Sequence, residues 1–144
     1  MMGGHERTES LFYYFRLEDQ IPDDHLLRLI DRHIDFSFVR ERLRMYSSTG
    51  RPSIDPEVLL RLLLVGYLYG ITSERCLLEE VRMHLAYRWF SRLGFEREIP
   101  DHPTFLQQTH LILGSAGPYF SSLSFHHMQS TGIEGFWVAL VDRP

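Results

Sequence analysis

The chain contains no lysine: all 15 basic residues are arginine. Arginine's planar fork matches phosphate oxygens and guanine edges better than an ammonium does, although a GC-rich coding bias enriches arginine equally well. Cys76 is the single cysteine, which excludes an intramolecular disulfide framework and a cysteine-only zinc site and suits a reducing, cytoplasmic setting. A long hydrophobic run is also missing. The most apolar window, Val58 to Ile71, includes Arg61 and falls short of the about 20 residues that a membrane-spanning helix needs. Met1-Met2-Gly3-Gly4-His5-Glu6-Arg7 has no apolar stretch behind a basic head, so no secretion signal is expected. Neither a glycine-rich phosphate loop nor a Gly-x-Ser-x-Gly elbow occurs. His126-His127 has no second pair at zinc-ligand spacing, and Cys76, between apolar neighbours, is expected to be a buried, inert thiol. No cofactor, metal, membrane or small-molecule substrate is expected.

The 144 residues are 44% hydrophobic and 24% charged, enough apolar side chain for one core and rarely for two. The formal net charge is −4 and the pI about 6.0. An acidic domain holds nucleic acid well only if its arginines gather on one face, so composition argues against tight, autonomous DNA binding. Charge also divides the chain. Beyond residue 110 the only charged residues are Glu134, Asp142 and Arg143, in a tail rich in aromatics, serine and glycine.

Up to about Phe105 the pattern is one of short helices with recognisable caps. Leu11-Phe12-Tyr13-Tyr14-Phe15-Arg16-Leu17 has no clean period and reads as an extended aromatic arm docked on the domain or as a short first helix, the arm being favoured. Pro22-Asp23-Asp24 opens a helix with Asp23 as cap and Leu26, Leu27, Ile30 and Ile34 on one face. Ser37 caps a second, from Phe38 to about Met45, which leaves Arg40, Arg42 and Arg44 to solvent, and the loop that ends it carries Arg51. Asp55-Pro56-Glu57 is the strongest start in the chain. The helix that follows, Val58 to Leu68, is apolar nearly all round and belongs in the middle of a bundle. Gly70 stops it, and Thr72 or Ser73 caps the next, with Cys76, Leu77, Leu78 and Val81. Met83 to Leu93 forms one further helix that buries Leu85, Ala86, Trp89, Phe90 and Leu93. Glu98 to Thr104 is a loop, and Thr104 caps a last helix, Phe105 to about Leu113. Gly135 to Asp142 reads as a strand.

The fold class is therefore all-α, a compact bundle of about five to six short helices with a helix-turn-helix-like pair over Asp55 to Val81, plus an irregular C-terminal tail. That pair is common in bundles that never touch DNA, and its second helix carries Glu74, Glu79 and Glu80, which phosphates repel. The better candidates are two basic stripes, His84, Arg88 and Arg92 at i, i+4 and i+8, and Arg40 with Arg44. Solvated faces of amphipathic helices are the commoner fate of such stripes.

Several motifs together resemble a known family. They are Leu11-Phe12-Tyr13 through Asp19, Ile21-Pro22-Asp23-Asp24-His25-Leu26-Leu27, Gly50-Arg51-Pro52-Ser53 with Asp55-Pro56-Glu57, Leu63 through Arg75, Tyr87-Arg88-Trp89-Phe90, and Ile99-Pro100-Asp101-His102. Over about residues 6 to 105 they are similar to the N-terminal helical domain of bacterial insertion-sequence transposases of the aspartate-aspartate-glutamate type. The resemblance implies a role in binding transposon ends or assembling the transposase, with strand transfer left to a ribonuclease-H-like domain whose acidic triad holds two metal ions. The chain is expected to stop before such a domain forms, so no enzymatic activity is expected. Asp142 falls roughly where the first catalytic aspartate of the family lies.

The likeness fails at one point. The family continues from Asp-His into Ser or Thr, Thr, Phe and a markedly basic helix, whereas Pro103-Thr104-Phe105 leads here into uncharged Leu106-Gln107-Gln108-Thr109. Phe-Leu-Gln-Gln-Thr-His can be written TTT CTC CAA CAA ACG CAC, and loss of one T yields Phe-Ser-Asn-Lys-Arg-Thr, the basic helix expected. The reading is thus a domain over 1–105 and a divergent, frameshifted and poorly ordered tail over 106–144. Arg40, Arg44, Arg51, His84, Arg88 and Arg92 are the expected DNA contacts, with binding weaker than about 10 μM at physiological salt. The alternatives are a homo-oligomerising interaction module that pairs through its aromatic arm or the exposed sides of Trp89 and Phe90, and a remnant without selected function.

Overall fold

Asp55 begins the central helix as its sequence requires. Its carboxylate accepts the Glu57 N–H at 2.9 Å, and Pro56 occupies the first turn, where no N–H is missed. The structure is a computed structural model that describes residues 14–37, 39–40 and 54–113, with the side chains of 110–113 left aside. It is all-helical: the described residues form α1 (Leu17–Gln20), α2 (Leu26–His33), α3 (Pro56–Leu68), α4 (Glu74–Met83), α5 (Leu85–Phe90) and α6 (His102–Leu113).

α3 is the rod that the apolar run predicts, with Val58 through Gly66 all buried. It ends in a Schellman motif. Ile71 N–H reaches Gly66 O at 2.8 Å, Gly70 N–H reaches Tyr67 O at 3.3 Å, and Gly70 supplies the left-handed residue at φ 66°. Ser73 then caps α4 by accepting the Cys76 N–H at 3.4 Å. The short helix α5 is the hub. It touches α1, α2, α3 and α4, while α6 leans on α4. Leu59, Leu62, Leu63, Val65, Leu77, Val81, Phe36 and Phe90 fill the core, which Phe105 and the buried Thr109 close from α6.

Several expected boundaries move. α2 starts at Leu26, not at Asp23, and its cap is His25, whose Nδ1 accepts the Leu27 N–H at 3.2 Å. The 83–93 segment is two pieces, because His84 is extended (φ −105°, ψ 117°) between α4 and α5. Leu85 is left partly exposed rather than buried. α6 begins at His102, inside the expected loop and ahead of Thr104. Cys76 is exposed, because Leu77 and Leu78 take the inward face of α4 and leave the thiol outside. Trp89 and Phe90 are buried, which removes the exposed ring faces expected for pairing between copies. Val39 and Arg40 are helical, but the rest of the 38–45 helix, the Leu11–Tyr13 end of the arm, the Gly135–Asp142 strand and the tail lie outside the described residues.

Glu18 fastens α1 to the hub and to α2. Trp89 Nε1 donates to Glu18 Oε2, while Arg28 donates to Glu18 Oε1 at 2.7 Å and to the Ile21 carbonyl at 2.9 Å, its guanidinium 5.1 Å from the Trp89 ring centre. The Trp89 hydrogen bond, helped by Arg28 and opposed by slight burial, holds the Glu18 carboxyl below its ordinary value. A carboxyl lowered in the folded state contributes stability above its unfolded pKa and loses it as pH falls through the folded one. Acidification below about pH 4 is therefore expected to shift Trp89 emission toward that of a solvated indole. The measurement is the wild-type titration minus that of Glu18→Gln, in which the acid-dependent step disappears and Trp137 contributes equally to both.

Candidate nucleic-acid interface

Ten arginines lie among the described residues, and the fold gives them different work. Arg61, 3% exposed, is the most deeply placed. It donates to Glu57 at 3.0 Å, to Asp31 at 2.6 Å and to the Phe90 carbonyl at 3.0 Å, and its guanidinium lies 4.2 Å from the Phe36 ring centre. Arg28 holds Glu18. These two belong to the framework and are not offered to a ligand.

The expected stripe of His84, Arg88 and Arg92 does not form, because no continuous helix carries it. α5 ends in a second Schellman motif, with Leu93 N–H on Arg88 O at 3.0 Å and Arg92 N–H on Trp89 O at 3.1 Å. Arg92 occupies the position glycine usually takes, at φ 58°. The break at His84 and this turn rotate Arg88 inward, to 8% exposure. Its Nη2 donates to the Gly94 carbonyl at 2.9 Å and to that of Arg97 at 3.4 Å, and the guanidinium lies over Phe95. Arg88 is therefore not the solvent-facing group the spacing predicts. His84 is exposed and stacks on Tyr87 with ring centres 4.0 Å apart.

Arg40 and Arg92 do face solvent, with side chains 59% and 47% exposed, and each holds an acid. Arg40 pairs with Asp55 at 2.7 Å and Glu57 at 3.2 Å; the Asp55 hydrogen bond raises its pKa further above the ordinary arginine value. Arg92 reaches both oxygens of Asp31 at 3.0 Å. Since Asp31 and Glu57 also hold Arg61, these three arginines share one acidic cluster. A cleft of about 380 Å³ borders it, lined in part by Arg32, His33, Arg61 and Arg92. Arg44 and Arg51 lie outside the described residues.

Arg32, Arg82 and Arg97 are exposed and have no acidic partner among the described residues. Sequence reasoning passed over them, because Glu79, Glu80, Glu96 and Glu98 surround two of them and conceal any basic stripe. In the helix pair α3 and α4, α3 is buried, and the outward face of α4 mixes Arg75 and Arg82 with Glu79 and Glu80. Among the described residues no group of three or more His, Cys, Asp or Glu is placed to hold a metal ion, and no helix is long and apolar enough to cross a membrane.

Residues 15–110 match the family described as a transposase domain (DUF772), which is most of the chain, and the chain belongs to that family. No curated protein and no solved structure matches it.

Proposed function

We propose that this chain is the helical DNA-contacting and assembly region of an insertion-sequence transposase of the aspartate-aspartate-glutamate type, acting in the cytoplasm by binding and not by catalysis. Family membership supports the transposase reading. The observation that supports DNA contact is the outward placement of Arg40 and Arg92, each of which shares one acid, Glu57 or Asp31, with Arg61. A phosphate oxygen can replace Asp31 on Arg92 or Glu57 on Arg40 while Arg61 continues to neutralise that acid. Arg44, Arg51 and His84 complete the proposed contact set. Arg88 supports it from inside. The reading frame is proposed to depart from the family near Phe105, and translation of the neighbouring frames tests this: a basic helix followed by a ribonuclease-H-like sequence is the expected result.

Arg92→Gly is the decisive variant. Glycine suits φ 58° better than arginine does, which offsets the lost Asp31 pair, so stability is expected to stay within about 1 kcal/mol. In a mobility-shift titration with duplex DNA, Arg92→Gly and Arg40→Glu are expected to weaken binding several-fold each. Unchanged binding by both would remove the assignment.

A further inference from the structure

Arg88 is a buried cation without a counter-ion among the described residues. Its Nη2 is held by two carbonyls, its Nε has no hydrogen-bond partner, and no carboxylate among the described residues pairs with it. A charge removed from water in this way is costly unless something opposes it. Arg88 lies at a cleft of about 420 Å³ that Arg82 and Arg97 also line. Both of those are exposed and carry no acid partner among the described residues. Glu96 and Glu98 line the same cleft, yet neither forms an ion pair with the three arginines. The local field is therefore positive at the base and mixed at the edge, which suits an anion of modest affinity.

The cleft has an aromatic side. Phe95 is 58% exposed, with one contact to the Arg88 guanidinium at 5.1 Å and another to the Phe15 ring, centre to centre 5.6 Å at 63°. Phe15 is itself half exposed and follows the almost fully exposed Tyr14. Large rings left in water beside unpaired guanidinium groups are the two elements a single strand needs: a π-face for an unstacked base and cations for its phosphates. Duplex DNA offers no free base face and gains nothing from the rings.

The geometry points to a single-stranded nucleic-acid site between the 14–16 segment and the 94–99 loop, with Phe95 and Phe15 stacking on an unpaired base, Arg82 and Arg97 facing the flanking phosphates, and the buried charge of Arg88 behind them. It deepens the proposed DNA-contact function and rests on it for the biological source, an unpaired transposon end. Its residues are separate from Arg40 and Arg92, so the two ideas fail independently.

The test is a fluorescence-anisotropy titration of the full chain with a labelled oligothymidine about 12 nucleotides long, an oligouridine of equal length, and a duplex. Phe95→Ala and Arg97→Glu, both at exposed positions, are each expected to lower oligothymidine affinity about tenfold with duplex affinity unchanged. Glu96→Gln with Glu98→Gln is expected to raise it several-fold. Arg92→Gly is expected to affect the duplex alone. Oligothymidine binding equal to or tighter than oligouridine supports DNA as the source, and a tenfold preference for oligouridine overturns that source. Oligothymidine affinity indifferent to both Phe95→Ala and Arg97→Glu overturns the site. So does a salt-insensitive dimer in sedimentation that Phe95→Ala abolishes, because the rings would then serve a second copy of the chain.

Discussion

Arg61→Ala is expected to destabilise the domain by about 3–5 kcal/mol, a large fraction of the 5–15 kcal/mol typical of a folded domain. The substitution removes little apolar surface; its effect comes from what it strands. Asp31 and Glu57, both largely buried, lose the cation that neutralises them, and the Phe90 carbonyl loses its donor. Arg92 and Arg40 still reach these acids, but from solvent, where a pair is worth about 1 kcal/mol or less. Breaking the cluster is the source of the loss, so replacing the Arg61–Asp31 half of it together is expected to restore part of the stability: Arg61→Met with Asp31→Leu should recover the share owed to Asp31, while Glu57 keeps its contact with Arg40. Urea unfolding followed by circular dichroism measures both. Equal loss in the single and double variants would show that the ionic cluster is not the cause.

Phe90→Ala is expected to cost about 3–5 kcal/mol by a different route, a cavity at the place where four helices converge. The ring is fully buried, meets Phe36 edge-on at 5.9 Å and 87°, and forms one wall against the Arg61 guanidinium, 5.1 Å from its centre. Its loss therefore also loosens the seat of Arg61, and the two substitutions should couple when combined. The control is Met83→Ala at the exposed end of α4, expected within about 0.5 kcal/mol of wild type. Similar midpoints for Phe90→Ala and Met83→Ala would contradict the position of α5 as hub.

The residues whose behaviour was legible in the sequence are those governed by neighbours within one turn. Asp55-Pro56, the apolar run from Val58, Gly70 and Ser73 each carry their own physical instruction, and the structure places the corresponding caps, rod and stop where those instructions put them. What escaped depends on distant partners. Arg61 is buried because Asp31 and the Phe90 carbonyl, 30 and 29 positions away, reach it, and no local pattern announces that. The 83–93 segment has helical periodicity throughout. It breaks at His84, and Arg92 takes a left-handed turn where glycine would have given warning. Once that segment is divided, Arg88 turns inward and the candidate stripe disappears. The exposed arginines of the second cleft, Arg82 and Arg97, were hidden by adjacent glutamates with which they form no ion pair.

The salt dependence of duplex binding tests the central claim most directly. If outward arginines hold DNA phosphates, the logarithm of the affinity falls linearly with the logarithm of salt concentration, by about 0.9 per phosphate neutralised. Arg92→Gly and Arg40→Glu should each make the slope shallower by about one. A flat line for the wild-type chain, or a slope that neither substitution alters, would contradict a DNA-contacting role for these arginines.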